Sequence, residues 1–250
     1  MRIIGITKVR NESLIMQETL DHWAKVCTGG IYVYDDVSTD DTVKICLAHP
    51  AVKDVITSEF WDPDRERAEW RNRQSVLSRA QQDAGLDDWF VYFDADERYY
   101  SFEYASFFDK KVDAIACKLF DIYITPEDVD RHYLEREWVG PEFRTITMFF
   151  RNSPKLSYSQ PDQRIVTLPP FANTIVSGWI KHFGKGISVE HWDETCKYYI
   201  DHWPKYSEKW KLRLGKAVHE YVSDFNNSLI KWFERDEKGF PLESQTYGQN

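Results

Sequence analysis

The chain has 250 residues, a length that fits one large domain or two small ones. Its formal net charge is −9 and it has no long run of Lys or Arg, which argues against nucleic acid as a bulk partner, because nucleic-acid phosphates require basic surfaces. Hydrophobic residues make up 42% and aromatic residues 16%, so the chain has ample material for a core.

No segment approaches the roughly 20 apolar residues that span a bilayer, and residues 1–5 lead into a strand pattern without the features of a signal peptide. We therefore expect no transmembrane segment and a cytoplasmic location. Cys27, Cys46, Cys117 and Cys196 are widely spaced, which predicts buried thiols rather than a disulfide framework or a metal knuckle.

Strand and helix patterns alternate over the first hundred residues, which predicts an α/β fold with a mostly parallel sheet and helices on its faces. The predicted strands are Ile3 to Thr7, Ile31 to Asp35, Asp54 to Phe60 and Trp89 to Phe93. The predicted helices are the segment with Leu20, Trp23, Ala24 and Cys27 at helical spacing, then Thr42 to Ala48, then about Glu66 to Ala84. Ligands of such sheets bind beyond the carboxyl ends of the strands, so polar residues after strands one, two and four should converge on one crevice.

From about residue 112 the pattern changes to one typical of α+β structure. Strand-like stretches at Asp113 to Ile124, Arg144 to Phe150 and Arg164 to Leu168 are joined by irregular segments. From Asp193 to about Arg235 the periodicity becomes helical, with Tyr199, Trp203, Tyr206 and Trp210 at spacings of three and four. We interpret this stripe as a helix face packed on the body, with an aromatic sugar platform as the alternative.

Three carboxylates lie within four positions directly after the predicted fourth strand, at Asp94, Asp96 and Glu97. Their mutual repulsion is relieved by a cation, and Mg²⁺ or Mn²⁺ takes oxygen ligands while keeping phosphates and water in its other positions. The segment therefore predicts a metal and diphosphate site, although acidic pairs also occur in ordinary surface turns.

Other polar segments follow the first two strands. Asp35 and Asp36 end strand two, where carboxylates can accept hydrogen bonds from ribose hydroxyls or a base N–H, although the following Ser38 to Asp40 also fits a plain helix cap. Residues 8–13, Lys-Val-Arg-Asn-Glu-Ser, follow strand one, and Arg71 lies with Asn72 in the long helix. Lys and Arg can pair with a diphosphate, and neither a P-loop nor a Gly-x-Gly-x-x-Gly motif occurs.

These four elements resemble, in order and spacing, the motifs of family-2-like glycosyltransferases of the GT-A fold, over residues 1 to about 100. The resemblance implies a Rossmann-like nucleotide-sugar-binding half over residues 1–111, an α+β acceptor half over residues 112–190 and C-terminal helices over residues 191–240, all in one GT-A domain. It implies donor-binding roles for Thr7, Lys8, Arg10, Glu12, Asp35, Asp36, Arg71, Asp94, Ala95 and Asp96, with the metal on Asp96 and Asp94.

The later part of the chain resembles the family more loosely, at residues 149–152, 160–163 and 180–184. The resemblance implies that the acidic residue of the middle segment is the general base and that the late His completes the metal site. These roles fall on Asp162 and His182, although Pro161 and Asp162 stand where His-Glu is usual. Asp121 and then Asp193 are the alternative bases.

The implied activity is inverting transfer of a sugar from a nucleotide-sugar donor, with a UDP-sugar favoured, to a glycan or another hydroxyl acceptor, with Mn²⁺ or Mg²⁺ bound. Two alternatives remain open. One is a nucleotidyltransferase that acts on sugar phosphates, and the other is a non-catalytic glycan-binding protein on the same fold.

Overall fold

The computed structural model describes residues 1–101, 105–159 and 164–232, without the side chains of residues 101, 105 and 108. The strands in these ranges are β1 Ile3–Val9, β2 Ile31–Asp35, β3 Val52–Thr57, β4 Trp89–Tyr92, β5 Glu97–Ser101, β6 Ala114–Asp121, β7 Trp138–Val139, β8 Arg144–Arg151, β9 Thr174–His182 and β10 Ile230–Lys231. The α-helices are α1 Met16–Trp23, α2 Thr42–Ala48, α3 Arg65–Asp83, α4 Ala105–Phe108, α5 Val189–His202 and α6 Ser207–Lys211. None of the helices in the described ranges is long and apolar enough to cross a membrane.

The chain forms two compact units. The first comprises residues 1–98, 102–117 and 146–178, and the second comprises residues 99–101, 118–145 and 179–250. All four cysteines are buried free thiols, as the sequence predicts.

The main sheet has eight strands in the order β3-β2-β1-β4-β8-β6-β9-β5. Strands β3, β2, β1 and β4 are parallel, and β8 pairs antiparallel with β4. Because the order runs outward from β1 to β2 and β3, and β4 then joins the other side of β1, the direction of the winding reverses between β1 and β4. The predicted α/β class with a mostly parallel sheet is confirmed.

Strands β1, β2 and β4 are buried on both faces, which explains their almost continuous apolar runs. Helix α3 covers one face, where Val76, Leu77 and Ala80 pack with residues of β1, β2 and β4. On α1, Trp23 stacks on Phe93 with ring centroids 4.6 Å apart. A Cβ at position 5 would lie 2.8 Å from Cys27 Sγ. Gly5 therefore lets Cys27, which follows α1, pack directly against β1.

Two predicted elements of the later sequence are wrong. Residues 164–168 form no strand, and their pairing is limited to an isolated bridge between Ser157 and Thr167. The predicted helix over residues 193–235 begins earlier, at Val189, and up to residue 232, where the described part of the chain ends, the last regular helix stops at Lys211. Pro204 disfavours helical backbone at Trp203, and a left-handed glycine at position 215 (φ 74°) prevents continuation beyond α6.

The second unit packs α5 and α6 against each other through aromatic side chains. Tyr199 and Trp210 stack with centroids 4.4 Å apart and an interplanar angle of 7°. Trp192 and Cys196 of α5 are buried with Ile124 and Ala217. The helical spacing of these residues therefore reflects contacts between two short helices joined by a turn, not one long helix.

Candidate active site

The polar ends of β1, β2 and β4 lie side by side at the carboxyl edge of the parallel strands. The register places Lys8 beside Tyr34 and Val9 beside Asp35, and it places Ile6 beside Tyr92, two residues before Asp94. Segments that are far apart in sequence are thus brought to the point where the winding of the sheet reverses. This is the position at which open α/β sheets bind ligands.

The turn after β4 is held from below by buried hydrogen bonds. The Thr19 hydroxyl donates to the Ala95 carbonyl at 2.6 Å, and Arg98 Nη1 donates to the same oxygen at 2.7 Å. The indole N–H of Trp23 donates to the Glu97 carbonyl at 3.0 Å. Because these contacts use backbone oxygens, they fix the path of the turn and leave its carboxylates for other partners.

Arg164 is the counter-ion of this acidic turn, and sequence reasoning missed it. Its Nη1 donates to Asp94 Oδ2 at 2.8 Å, its Nη2 donates to Glu97 Oε2 at 2.8 Å, and it also pairs with Glu97 Oε1. Tyr92 donates its hydroxyl to the other oxygen of Asp94 at 3.0 Å. Both carboxylate oxygens of the buried Glu97 pair with Arg164, so this carboxylate anchors Arg164 rather than facing a ligand.

Glu12 brings a further carboxylate to this edge. It is half-buried after β1, and its backbone N–H donates to Thr42 Oγ1 at 2.8 Å. Burial raises the pKa of Glu12 well above its usual range, and the negative charges of Asp96 and Asp94 raise it further. The negative charges near Glu12 therefore outweigh the positive ones, and this favours a bound cation.

The donor set fits a weakly caged Mg²⁺ or Mn²⁺ ion rather than a closed metal site. Within the described ranges, no three His, Cys, Asp or Glu residues are arranged to hold a metal by themselves. Mg²⁺ is commonly held by one or two carboxylates together with substrate phosphates and water, and Asp94 and Asp96 can supply that number.

A layer of ion pairs from α3 supports the strand ends. Glu69 accepts from Lys8 and pairs with Arg73 Nη2 at 2.8 Å, and Arg73 Nε donates to the Tyr92 hydroxyl at 2.9 Å. Although burial would raise the pKa of Glu69, the charges of Lys8 and Arg73 lower it to about 2. Arg65 pairs with Asp36 in the same layer. Arg65, Glu69 and Arg73 recur every fourth residue, which is the sequence signal that marks one helix face.

Of the other residues predicted to bind the donor, some hold the loop after β2 and one offers a side chain without a partner among the described residues. Arg10 Nη1 donates to the carbonyls of Asp36 and Val37 at 2.6 and 3.0 Å, so it shapes the loop after β2. Asp35 accepts from the backbone N–H of Ser38 at 3.1 Å. The hydroxyl of Thr7 is buried and has no hydrogen-bond partner among the described residues, which makes it a candidate ligand contact.

Arg71 lies on α3 above a buried carboxylate. Its Nη1 donates to Asp62 Oδ2 at 2.8 Å, and its guanidinium lies 5.9 Å from the ring centre of Phe60, which is exposed. Arg67 pairs with the same carboxylate at 3.0 Å. Arg71 is thus oriented by Asp62, and about a third of its side chain (34%) is exposed.

The second unit brings together two other predicted residues. His182 Nδ1 lies 2.6 Å from Asp121 Oδ1, and Lys185 Nζ lies 2.7 Å from Asp121 Oδ2. Burial would raise the pKa of Asp121, but the charges of Lys185 and Arg144 and the hydrogen bond with His182 lower it well below its usual range. Such a carboxylate is a weak proton acceptor at neutral pH.

Three predicted roles stay predictions. Asp162 lies outside the described residues. Asp193 accepts from the backbone N–H of Gly215 at 2.9 Å, which is a structural contact of α5. The role of His182 as a metal ligand also stays a prediction; its Nδ1 contacts Asp121 at 2.6 Å, and contacts of this kind orient metal-bound histidines.

Comparison with known proteins gives limited similarity. No protein-family model matches the chain. Two curated proteins described as uncharacterized, from Mycobacterium bovis and Mycobacterium tuberculosis, are each 37% identical to it over 99 residues, which is 38% of this chain and 23% of theirs. The match therefore spans less than a quarter of the length of these relatives.

Among solved structures, the chain is similar to S. aureus TarS 1-349 in complex with UDP, with 15% identity and a TM-score of 0.44, over 85% of this chain and 71% of that one. It is also similar to glucosyl-3-phosphoglycerate synthase from Mycobacterium tuberculosis in complex with Mn²⁺, UDP and glucosyl-3-phosphoglycerate, with 17% identity and a TM-score of 0.32, over 47% of this chain and 44% of that one.

Proposed function

We propose that the chain is a glycosyltransferase that takes its sugar from a nucleotide-sugar donor. The main support is that the polar ends of β1, β2 and β4 meet where the winding of the sheet reverses. There the acidic turn after β4 lies beside Lys8 of β1. The motif resemblance of residues 1 to about 100 gives this edge its chemical interpretation.

In the proposed complex, the nucleoside lies over the ends of β1 and β2. Thr7 offers its buried hydroxyl, and Asp35 offers a carboxylate that already accepts one backbone N–H. Asp36 instead supports the site from below, since it accepts from Asn72 at 3.1 Å and pairs with Arg65. Arg71 supplies positive charge for the diphosphate. A UDP-sugar is the favoured donor.

Asp94 and Asp96 would hold Mn²⁺ or Mg²⁺ beside the diphosphate, where a divalent ion offsets the negative charge of the leaving group. Arg164 keeps Asp94 and Glu97 in place, and Tyr92 orients Asp94 through its hydroxyl. Each of these residues thus positions the turn that carries Asp96.

The proton of the acceptor hydroxyl goes to a carboxylate in the proposed inverting reaction. Asp121 is a poor candidate because Lys185, Arg144 and His182 hold its pKa well below its usual range, which makes it a weak proton acceptor. We therefore assign the general base to Asp162. A positioned base of this kind typically accelerates transfer by about 10² to 10⁴-fold.

The direct test is a panel of UDP-, GDP- and dTDP-sugars with and without Mn²⁺, followed by thermal unfolding and by donor consumption. A donor present at about 100 times its Kd should stabilise the folded protein by roughly 2.7 kcal/mol, and only when Mn²⁺ is present. Pyrophosphate release from a nucleoside triphosphate and a sugar phosphate would instead indicate a nucleotidyltransferase. Sugar binding that ignores both metal and nucleotide would indicate a glycan-binding protein.

A further inference from the structure

Arg164 places a positive charge on a carboxylate that is predicted to bind the metal. Its Nη1 donates to Asp94 Oδ2 at 2.8 Å and also to Glu97 Oε1, while its Nη2 donates to Glu97 Oε2 at 2.8 Å. The other oxygen of Asp94 accepts from the Tyr92 hydroxyl at 3.0 Å. Both oxygens of Asp94 therefore have partners, and one of these partners is a cation.

The two carboxylates that Arg164 holds differ in their access to solvent. The side chain of Glu97 is fully buried, whereas 34% of the Asp94 side chain is exposed. A divalent ion that arrives from solvent can therefore reach Asp94 but not Glu97. When the ion takes Asp94 Oδ2, the bidentate contact with Glu97 still holds Arg164 in the turn.

A second cation on Asp94 is opposed by the charge of Arg164. A guanidinium and a divalent ion on one carboxylate repel each other, and burial reduces the screening of that repulsion by water. Only 15% of the Arg164 side chain is exposed. Although burial would lower the pKa of Arg164, the charges of Asp94 and Glu97 raise it well above its usual range, so the guanidinium stays charged.

We propose that Arg164 competes with the divalent ion for Asp94 and thereby sets the affinity of the acidic turn, residues 94–97, for that ion. The inference deepens the proposed function and rests on it for the identity of the ion, Mn²⁺ or Mg²⁺. Arg164 acts on the ion through Asp94, as a positioning residue. It offsets the mutual repulsion of the carboxylates and releases one of them to the ion. Since the charge of a diphosphate outweighs that of Arg164, the ion enters and leaves together with the diphosphate.

The test removes the competing cation together with its buried partner. Glu97→Gln combined with Arg164→Met keeps the net charge and avoids an unpaired buried carboxylate. We expect this double variant to bind Mn²⁺ about tenfold more tightly than the wild type, because no charge-assisted hydrogen bond to Asp94 has to be broken. Electron paramagnetic resonance of free Mn²⁺ during a titration measures the affinity without any transfer reaction.

The matched control removes another cation and another anion from the same unit. Arg79 and Asp83 of α3 pair at 2.9 Å, and the Asp83 carbonyl accepts from Arg2, which directly precedes β1. This pair therefore lies at the amino ends of the parallel strands, away from the acidic turn. Arg79→Gln combined with Asp83→Asn should leave the affinity for Mn²⁺ unchanged.

A third protein covers the case in which the Glu97→Gln, Arg164→Met chain does not fold. Arg164→Lys keeps a charge beside Glu97, but an ammonium lacks the fork that spans both carboxylates, so it should tighten Mn²⁺ binding about threefold. Denaturant titration checks the folding of each variant before the Mn²⁺ titration.

The direction of the change decides the outcome. Removal of a residue that only supports the turn would weaken Mn²⁺ binding, so equal or weaker binding by the folded variants overturns the proposal. The titrations are repeated with UDP present. A wild type that binds Mn²⁺ neither with nor without UDP would contradict the metal role in the proposed function, which is a different result from equal affinities.

Discussion

Two carboxylates, Glu12 in the first unit and Asp121 in the second, lie in opposite surroundings. Glu12 lies near Asp94 and Asp96, and burial together with their charges raises its pKa. Asp121 lies between Lys185, Arg144 and His182, and these groups lower its pKa. The counter-ions around a carboxylate therefore decide what it can do. Around Glu12 the charges of Asp96 and Asp94 outweigh that of Lys8, which favours a cation, whereas Lys185, Arg144 and His182 surround Asp121 with positive charge.

Asp96→Asn should have the largest effect on sugar transfer. Removing one carboxylate from the acidic turn should lower kcat/KM for sugar transfer by about 10³-fold or more, because the charge of the leaving group is no longer offset. Steady-state kinetics across Mn²⁺ concentrations measure this change. Asp87→Asn, at an exposed position on the loop before β4, is the matched control and should transfer normally. Normal turnover by Asp96→Asn would remove the metal role.

Arg164→Met tests whether the acidic turn depends on its internal counter-ion. The substitution leaves the buried carboxylate of Glu97 without its bidentate partner, so it should lower the free energy of unfolding by about 3 to 5 kcal/mol. Denaturant titration measures it, and Glu97→Gln combined with Arg164→Met should recover much of the loss. Arg67→Gln, whose side chain is exposed, should cost less than about 1 kcal/mol. An Arg164→Met protein as stable as the wild type would contradict this account.

The acid sensitivity of the second region follows from its depressed pKa values. Burial would raise the pKa of Asp224, but the hydrogen bond with His219 and the charge of Lys185 lower it well below its usual range. Because the pKa values of Asp121 and Asp224 are lower in the folded than in the unfolded state, their stabilisation is complete above about pH 5 and is lost as the pH falls below about 4.

Lys185→Met should therefore lower the free energy of unfolding at pH 7 and reduce the further loss on acidification, by about 2 kcal/mol relative to the wild type. Thermal and denaturant unfolding between pH 3 and pH 7, an interval chosen to bracket the usual Asp pKa of about 4, measure the difference. Lys211→Met should follow the wild-type curve. Parallel pH profiles of Lys185→Met and the wild type would show that Lys185 does not set these pKa values.

Arg71→Gln should have the smallest effect. Arg71 is partly exposed and already pairs with Asp62, so its loss should raise the KM for the donor roughly fivefold with little change in kcat. Arg67→Gln removes the other arginine of Asp62 and should leave the donor KM unchanged. Equal KM values for the two variants would place the diphosphate away from Arg71.

Much of the first unit could be predicted from sequence because its elements are local. Strand β2 and helix α2 have the predicted bounds, since an apolar run and a short helical repeat each lie between clear breaks. The acidic turn was predicted because its carboxylates are adjacent in the chain. Arg164 was not, because its partners Asp94 and Glu97 lie about seventy positions earlier and no local pattern connects them.

The second unit was harder to predict for the same reason. Its aromatic stripe follows helical spacing, but the contacts run between α5 and α6 across the turn at Pro204. Residues 212–232 contain left-handed backbone at Gly215, Tyr221 and Asn226. At Tyr221 and Asn226 only the folded structure reveals this conformation. Asp121 and its partners Arg144, His182 and Lys185 stand far apart in the chain, so their contacts were not visible in the sequence.

The most direct measurement is anomalous X-ray diffraction from crystals of the protein soaked with Mn²⁺ and UDP. We expect a manganese peak beside the carboxylates of Asp94 and Asp96, with the diphosphate of UDP bound to the ion and the nucleoside over the ends of β1 and β2. A peak at another place, or UDP bound elsewhere with no ion after β4, would contradict the proposed donor site.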